Sequence, residues 1–207
     1  MTRLDMFYPI ADSAPMVVKL VKAGVKLIQL RIKGGVSTYL QSQVEQSAWV
    51  CKEYGTQLIV NDHWQIAIDL NLDFVHLGQE DLDHADLAAI SRHNIRLGIS
   101  THDRAELDRA LSLNPAYVAL GPIWPTLLKA MPWAPQGLQR ITQWKRLIGS
   151  LPLVAIGGIT VEKAASCIKA GADCVAVVSD VVRQPNPVER VKLWQKALQI
   201  EPSKEPI

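Results

Sequence analysis

Leu153-Val-Ala-Ile-Gly-Gly-Ile-Thr-Val-Glu-Lys-Ala-Ala-Ser-Cys-Ile-Lys-Ala-Gly-Ala-Asp-Cys-Val-Ala-Val-Val178 reads as one complete βαβ unit. Leu153–Ile156 and Cys174–Val178 are short apolar runs rich in β-branched residues, and Val161–Ala170 between them carries apolar residues at helical spacing. Gly157-Gly158 turns the chain out of the first run, and Ala170-Gly171-Ala172-Asp173 stops the helix before the second. Strands joined by a helix in this way lie parallel in one sheet. Working outward, the same alternation of short strands and longer amphipathic segments repeats in kind, though not in sequence. The other predicted strands are Met6–Ala11, Val25–Arg31, Gln57–Asn61, Phe74–Leu77, Ile95–Ile99 and Tyr117–Leu120. The other predicted helices are Pro15–Ala23, Thr38–Tyr54, Trp64–Leu70, Asp83–Arg92, Arg104–Ser112, Leu138–Ile148 and Pro187–Gln199. Eight such units predict an α/β protein, a single (β/α)8 TIM barrel over residues 1–200, with the polar tail Glu201–Ile207 frayed beyond it. A doubly wound open sheet shares the element order, and in both folds ligands collect at the carboxyl ends of the strands.

Composition excludes several classes of function. Of the 207 residues 48% are hydrophobic and 20% charged, which is ordinary for a packed domain and unlike a disordered chain. The net charge of +2 comes from Lys and Arg dispersed among nearly as many acids, so no basic face for nucleic acid is expected. No apolar stretch approaches the ~20 residues that cross a bilayer, and Met1–Ile10 does not resemble a secretory signal. A cytoplasmic protein without a membrane partner is expected. Cys51, Cys167 and Cys174 have no CxxC spacing and read as reduced, buried thiols. The sequence leaves a homo-oligomer open.

Chemistry-bearing residues gather at the predicted strand ends. Gln29, Arg31 and Lys33 alternate with Leu30 and Ile32, which puts an amide and two cations on one face. In a barrel that face looks inward, where the cations need an anion. Asp62 follows strand Gln57–Asn61 and Asp81 follows Phe74–Leu77, so two carboxylates at neighbouring strand ends can share Mg²⁺. The competing reading makes each Asp the cap of the helix behind it. Ser100 can donate a hydrogen bond into the mouth. His102 is unassigned, and His63, His76, His84 and His93 lack zinc spacing and read as ordinary hydrogen-bonding residues. Gly157-Gly158, after the seventh strand, allows backbone amides to approach a phosphate. The connection Gly121–Gly137 runs seventeen residues with four prolines and reads as a lid. Together these residues suggest a metal-assisted diphosphate site near the second to fourth strands and a monophosphate site near the last two.

At this point the motifs become specific. Gln29-Leu-Arg-Ile-Lys33, Asn61-Asp62, His76-Leu-Gly-Gln-Glu-Asp81, Gly98-Ile-Ser-Thr-His102, Leu120-Gly-Pro-Ile-Trp-Pro-Thr126, Val154-Ala-Ile-Gly-Gly-Ile159 and Ala176-Val-Val-Ser179 resemble, in this order, those of the thiamine-phosphate synthase family. That resemblance implies a transferase joining hydroxymethylpyrimidine diphosphate to thiazole phosphate, with thiamine monophosphate and pyrophosphate as products. It implies that Gln29, Arg31, Lys33 and Asn61 hold the pyrimidine diphosphate and that Asp62 and Asp81 bind Mg²⁺. Ser100, Thr126 and Lys129 would complete the diphosphate and pyrimidine contacts, with Arg31, Lys33, Ser100 and Lys129 the catalytic set. Gly158, Val178 and Ser179 would receive the thiazole phosphate. The family's chemistry is dissociative and uses no protein nucleophile. The chain departs from the pattern at Thr126-Leu127-Leu128-Lys129, where the family usually has Thr-x-Thr-Lys, and Leu128 thus replaces a hydroxyl. His63 stands where Arg or an aromatic residue is common, and Cys174 where Gly is usual. Two rival readings are a thiazole tautomerase-like relative and a non-catalytic precursor-binding protein.

Overall fold

The computed structural model describes residues 4–126 and 133–200. Strands β1 (Phe7–Ala11), β2 (Leu27–Leu30), β3 (Gln57–Asn61), β4 (Phe74–Leu77), β5 (Arg96–Thr101), β6 (Tyr117–Leu120), β7 (Leu153–Ile156) and β8 (Cys174–Val177) are all parallel. They follow sequence order around a closed barrel, and β8 pairs back onto β1 through Phe7 with Val175, Tyr8 with Ala176 and Pro9 with Val177. That closure sets the TIM barrel apart from the open sheet. Around it lie α1 (Ala14–Lys22), α2 (Ser37–Glu53), α3 (Trp64–Asp69), α4 (Gln79–Leu82), α5 (Leu87–Arg92), α6 (Arg104–Ser112), α7 (Gly137–Ile148), α8 (Val161–Lys169), α9 (Ser179–Val182) and α10 (Pro187–Ala197). Among the described residues no helix is long and apolar enough to cross a membrane.

Period-two alternation divides the apolar residues into two layers. Tyr8, Ile10, Leu27, Ile59, Phe74, Tyr117, Ala119, Val154, Cys174 and Ala176 pack together inside the barrel. Their neighbours in sequence, among them Phe7, Ile28, Leu58, Val60, Val75, Leu97, Val118, Ala155 and Val175, face the helices in the larger outer core. Cys51, Cys167 and Cys174 are buried free thiols, as expected.

Four strands, β3, β4, β6 and β7, have the predicted bounds. Three differences matter for the site. Strand β2 stops at Leu30, so Arg31 lies just past it, although its N–H still donates to Ala11 O at 2.8 Å. Strand β5 runs on to Thr101 and so carries Ser100 within the sheet. Of the helix expected over Asp83–Arg92 only Leu87–Arg92 forms, as α5, and a separate short helix, α4, precedes the expected span at Gln79–Leu82. Asp86 explains the late start, because its carboxylate accepts the Ala89 N–H at 2.8 Å and caps the helix there. Helix α9 has no counterpart among the expected helices, since four residues carry no period. The expected lid residues Leu128 and Lys129, and the expected tail Glu201–Ile207, lie outside the described residues.

Candidate functional site

Alternation along the strands sends polar side chains as well as apolar ones into the barrel, and five of these form one hydrogen-bonded chain. Gln29 Nε2 donates to Tyr8 Oη at 2.7 Å, and Tyr8 Oη lies 3.0 Å from Tyr117 Oη. Tyr117 Oη lies 2.7 Å from His76 Nδ1, and His76 Nε2 lies 2.8 Å from Ser100 Oγ. The line thus runs from the end of β2 through β1, β6 and β4 to β5. Burial, then the nearby Arg31 cation, hold His76 down to about 4, so its imidazole stays neutral and can donate with one nitrogen and accept with the other. Burial also pushes both phenols up and keeps them protonated. Gly98 is required beside this chain, because a Cβ there would collide with the Tyr117 ring. Gln79 Nε2 ties α4 to Ser100 O at 2.7 Å.

At the carboxyl ends of β3 and β4 the two predicted carboxylates come together. Asp62 is held in the left-handed region at φ 63°, an uncommon conformation for a residue with a side chain. Its N–H donates to His76 O at 3.0 Å, which fixes it against the end of β4. Burial, then the adjacent Asp81 carboxylate and the hydrogen bond between the two, push the Asp62 carboxyl up to about 6, while Arg31 opposes them. Asp81 lies within α4 and accepts the Gly78 N–H at 3.1 Å, so it closes the start of its own helix, while the helix behind it is capped by Asp86. Asn61 beside them is 4% exposed, and its Nδ2 has no hydrogen-bond partner among the described residues. Lys33 stands exposed at the rim past Arg31. His63 Nε2 lies 3.2 Å from Ile32 O and so ties the β2 and β3 ends together.

Across the mouth, β6 and β7 continue pairing beyond their ends, with Ile123 N–H on Ile156 O at 2.9 Å and Trp124 N–H on Gly157 O at 3.0 Å. This brings the connection after β6 against the glycine turn. Gly157 and Gly158 adopt φ 96° and 65°, and a Cβ on Gly158 would stand 2.5 Å from Pro125 O and 2.8 Å from Trp124 O. Only glycine fits there. Val178 and Ser179 lead from β8 into α9, which Asp180 anchors. The Asp180 carboxylate accepts from Val161 N–H at 3.1 Å and Trp194 Nε1 at 2.8 Å, and it pairs with Arg190 at 2.8 Å. Thr126 ends the described part of the β6 connection.

His102 is not part of either cluster. Its N–H and Nδ1 meet Glu106 Oε2 at 2.7 and 2.8 Å, and its ring stacks on Trp133 with centroids 5.4 Å apart. A cavity of about 390 Å³ opens at the opposite end of the barrel, lined by residues that include Lys26, Gln57 and Arg96. Arg96 is already engaged there by Asp73 and Gln57 and lies 4.3 Å from the Phe74 ring centroid. The carboxyl end, with its paired acids and unpartnered amide, is the better candidate.

The structure therefore gathers Gln29, Arg31, Asn61, Asp62, Asp81 and Ser100 on one side of the mouth, and Gly158, Val178 and Ser179 on the other. Sequence reading treated His76 as an ordinary hydrogen-bonding residue and passed over Tyr8 and Tyr117. A signal was present, since Tyr8, His76 and Tyr117 fall at inward positions of their strands. Among the described residues no three His, Cys, Asp or Glu side chains cluster as a ready metal cage. Two carboxylates suit Mg²⁺, which keeps waters and takes substrate oxygens as further ligands.

A protein-family model described as thiamine monophosphate synthase matches residues 7–181. A thiamine-phosphate synthase of Rhizobium etli is 53% identical over 195 residues, covering 94% of this chain and 96% of that protein. One from Neisseria meningitidis serogroup B is 45% identical over 189 residues, covering 91% and 92%. Among solved structures, a thiamine phosphate pyrophosphorylase from Pyrococcus furiosus superposes with a TM-score of 0.83 at 25% identity, covering 93% of this chain and 95% of that one.

Proposed function

The chain belongs to the thiamine monophosphate synthase family, and from that premise we propose how its own residues join hydroxymethylpyrimidine diphosphate to thiazole phosphate with release of pyrophosphate. The tautomerase-like and non-catalytic readings find no support among relatives that are synthases over nearly their whole length.

The observation that carries the site assignment is the Asp62–Asp81 pair. Burial and the neighbouring Asp81 carboxylate raise the proton affinity of Asp62, and a divalent cation between the two acids would relieve that cost. Asp62 and Asp81 would hold Mg²⁺. When bound, that ion supplies positive charge to the diphosphate oxygens. Arg31 grips those oxygens from the end of β2, and Lys33 adds a movable charge from the rim. Gln29 and the unpartnered Asn61 amide orient the same substrate, with Ser100 presented to it by His76. Thr126 and Lys129 complete these contacts from the β6 connection. The methylene C–O bond of the pyrimidine breaks, and its electron pair leaves with pyrophosphate. The thiazole nitrogen then donates its lone pair to the methylene cation, forming the C–N bond of the thiazolium product. No proton or protein nucleophile is needed. Arg31, Lys33, Ser100 and Lys129 act on the departing charge, while the backbone around Gly158, Val178 and Ser179 holds the thiazole phosphate and sets the distance between the partners. Three buried reduced thiols are in keeping with a reducing compartment, and the cytoplasm is the location proposed.

Pyrophosphate release from the two substrates tests this reading. Release should require Mg²⁺ and stop with a chelator. Asp62→Asn and Asp81→Asn should each lower turnover by a factor on the order of a hundred or more while the circular dichroism spectrum is kept. Full turnover in either variant, or turnover indifferent to the chelator, removes the carboxylate pair from the metal site.

A further inference from the structure

Lys163 lies in the first turn of α8, behind the Gly157-Gly158 turn. Its Nζ donates to Gly158 O at 3.3 Å and lies 5.1 Å from the centroid of the Trp124 ring. Among the described residues it forms no ion pair, whereas its charged neighbours Asp180 and Arg190 are matched with each other at 2.8 Å and Glu162 lies 3.4 Å from Arg190. Of these charges, the Lys163 ammonium is the one that rests on the glycine turn itself.

Two consequences follow from elementary geometry and electrostatics. The Gly158–Ile159 peptide is planar, so anchoring its carbonyl oxygen also fixes the direction of the Ile159 N–H on the opposite edge. A glycine pair at φ 96° and 65° is conformationally free and gains most from such an anchor. The ammonium also offsets the negative end of that peptide dipole, so the turn presents a net positive field to an anion. The indole face attracts the cation and shields it on one side, which reduces screening by solvent.

We propose that Lys163 is a positioning residue for phosphate recognition. Held over Trp124, it fixes the Gly158 carbonyl, orients the glycine turn and lends its charge to the monophosphate of the thiazole substrate. The inference rests on the reading that this turn receives the thiazole phosphate. Lys163 thus makes the enzyme discriminate between the phosphorylated thiazole and its dephosphorylated alcohol.

Steady-state kinetics on the full chain with Mg²⁺ test the proposal, with thiazole phosphate and thiazole alcohol as alternative acceptors. Lys163→Gln should raise KM for thiazole phosphate about tenfold, with a much smaller change in kcat and in KM for the pyrimidine diphosphate. Lys163→Arg should restore most of the loss. Use of the alcohol, which has no charge to recognise, should be unaffected in both variants. An unchanged KM for thiazole phosphate in Lys163→Gln overturns the proposal, as does an equal loss for phosphate and alcohol, which is what a merely structural lysine gives. Ser179→Glu tests the underlying site separately, by placing a carboxylate at the end of β8. If Ser179→Glu abolishes thiazole-phosphate binding and Lys163→Gln changes nothing, Lys163 alone is misassigned. If Ser179→Glu binds thiazole phosphate normally, the phosphate lies elsewhere and both readings fall.

Discussion

One added methyl group at position 98 would run into the ring of Tyr117, which lies opposite it in the β5–β6 register. Tyr117 cannot retreat without releasing Tyr8 at 3.0 Å and His76 at 2.7 Å, and His76 in turn steadies Ser100. Gly98→Ala is therefore expected to destabilise the protein by about 1–3 kcal/mol through overpacking. It should also lower turnover by freeing the Ser100 hydroxyl. Urea denaturation with a parallel pyrophosphate assay checks both, and a variant as stable and as active as the parent would mean that the buried chain organises nothing. At this scale the sequence told which face each residue takes, because a period of two is a local property. It could not tell that Tyr8 and Tyr117, 109 positions apart, meet across the barrel. That contact depends on closure, which joins β8 to β1 and is written in no single segment.

Elements were legible in proportion to their length and to the strength of their stop signals. Strands β3, β4, β6 and β7 lie between clear turns and keep their predicted bounds. The helix expected over Asp83–Arg92 starts only at Leu87, because Asp86, in sequence one more polar face residue, caps it through the Ala89 N–H. Helix α9 is too short to show a period, yet it orients Ser179, and Asp180 is what holds it. That carboxylate joins the start of α8, the indole of Trp194 on α10 and the Arg190 guanidinium, with the side chains of Asp180 and Arg190 only 11% and 19% exposed. Removing the Asp180 charge leaves Arg190 with only the exposed Glu162 carboxylate at 3.4 Å. Asp180→Asn should cost about 3 kcal/mol. In a domain of this size that lowers Tm by on the order of 10 °C. Because the anchor stands behind Ser179, KM for thiazole phosphate should also rise, while KM for the pyrimidine diphosphate holds. Calorimetry and substrate titrations measure these, and a variant that melts with the parent would show that the pair contributes no net stability.

Closure of the barrel arranges the whole molecule's charge. Strands β2 to β5 bring Arg31, Lys33, Asn61, Asp62, Asp81 and Ser100 to one side of the mouth, and the turn after β7 with the end of β8 stands on the other. The two anion sites proposed for a single rim have a reason in the chemistry: the pyrimidine methylene must lie between its leaving group and the incoming thiazole nitrogen. Two substrates, each held by its own anion site, are brought into line by a rigid rim. With the diphosphate assigned to the β2 side, charge that accumulates on it would be felt by the cations there, and their work would belong to the transition state more than to binding. Arg31 offers a planar fork for two oxygens, whereas exposed Lys33 offers a mobile charge. Lys33→Ala should accordingly lower kcat by a factor on the order of a hundred. Its thiazole-phosphate affinity, measured by direct titration without the pyrimidine substrate, should change little. Arg31→Ala should follow the same pattern with the larger loss, since its bidentate contact has no substitute nearby. If thiazole-phosphate binding collapses in either variant while turnover at saturation survives, the two anions occupy the opposite sides of the rim from those assigned to them.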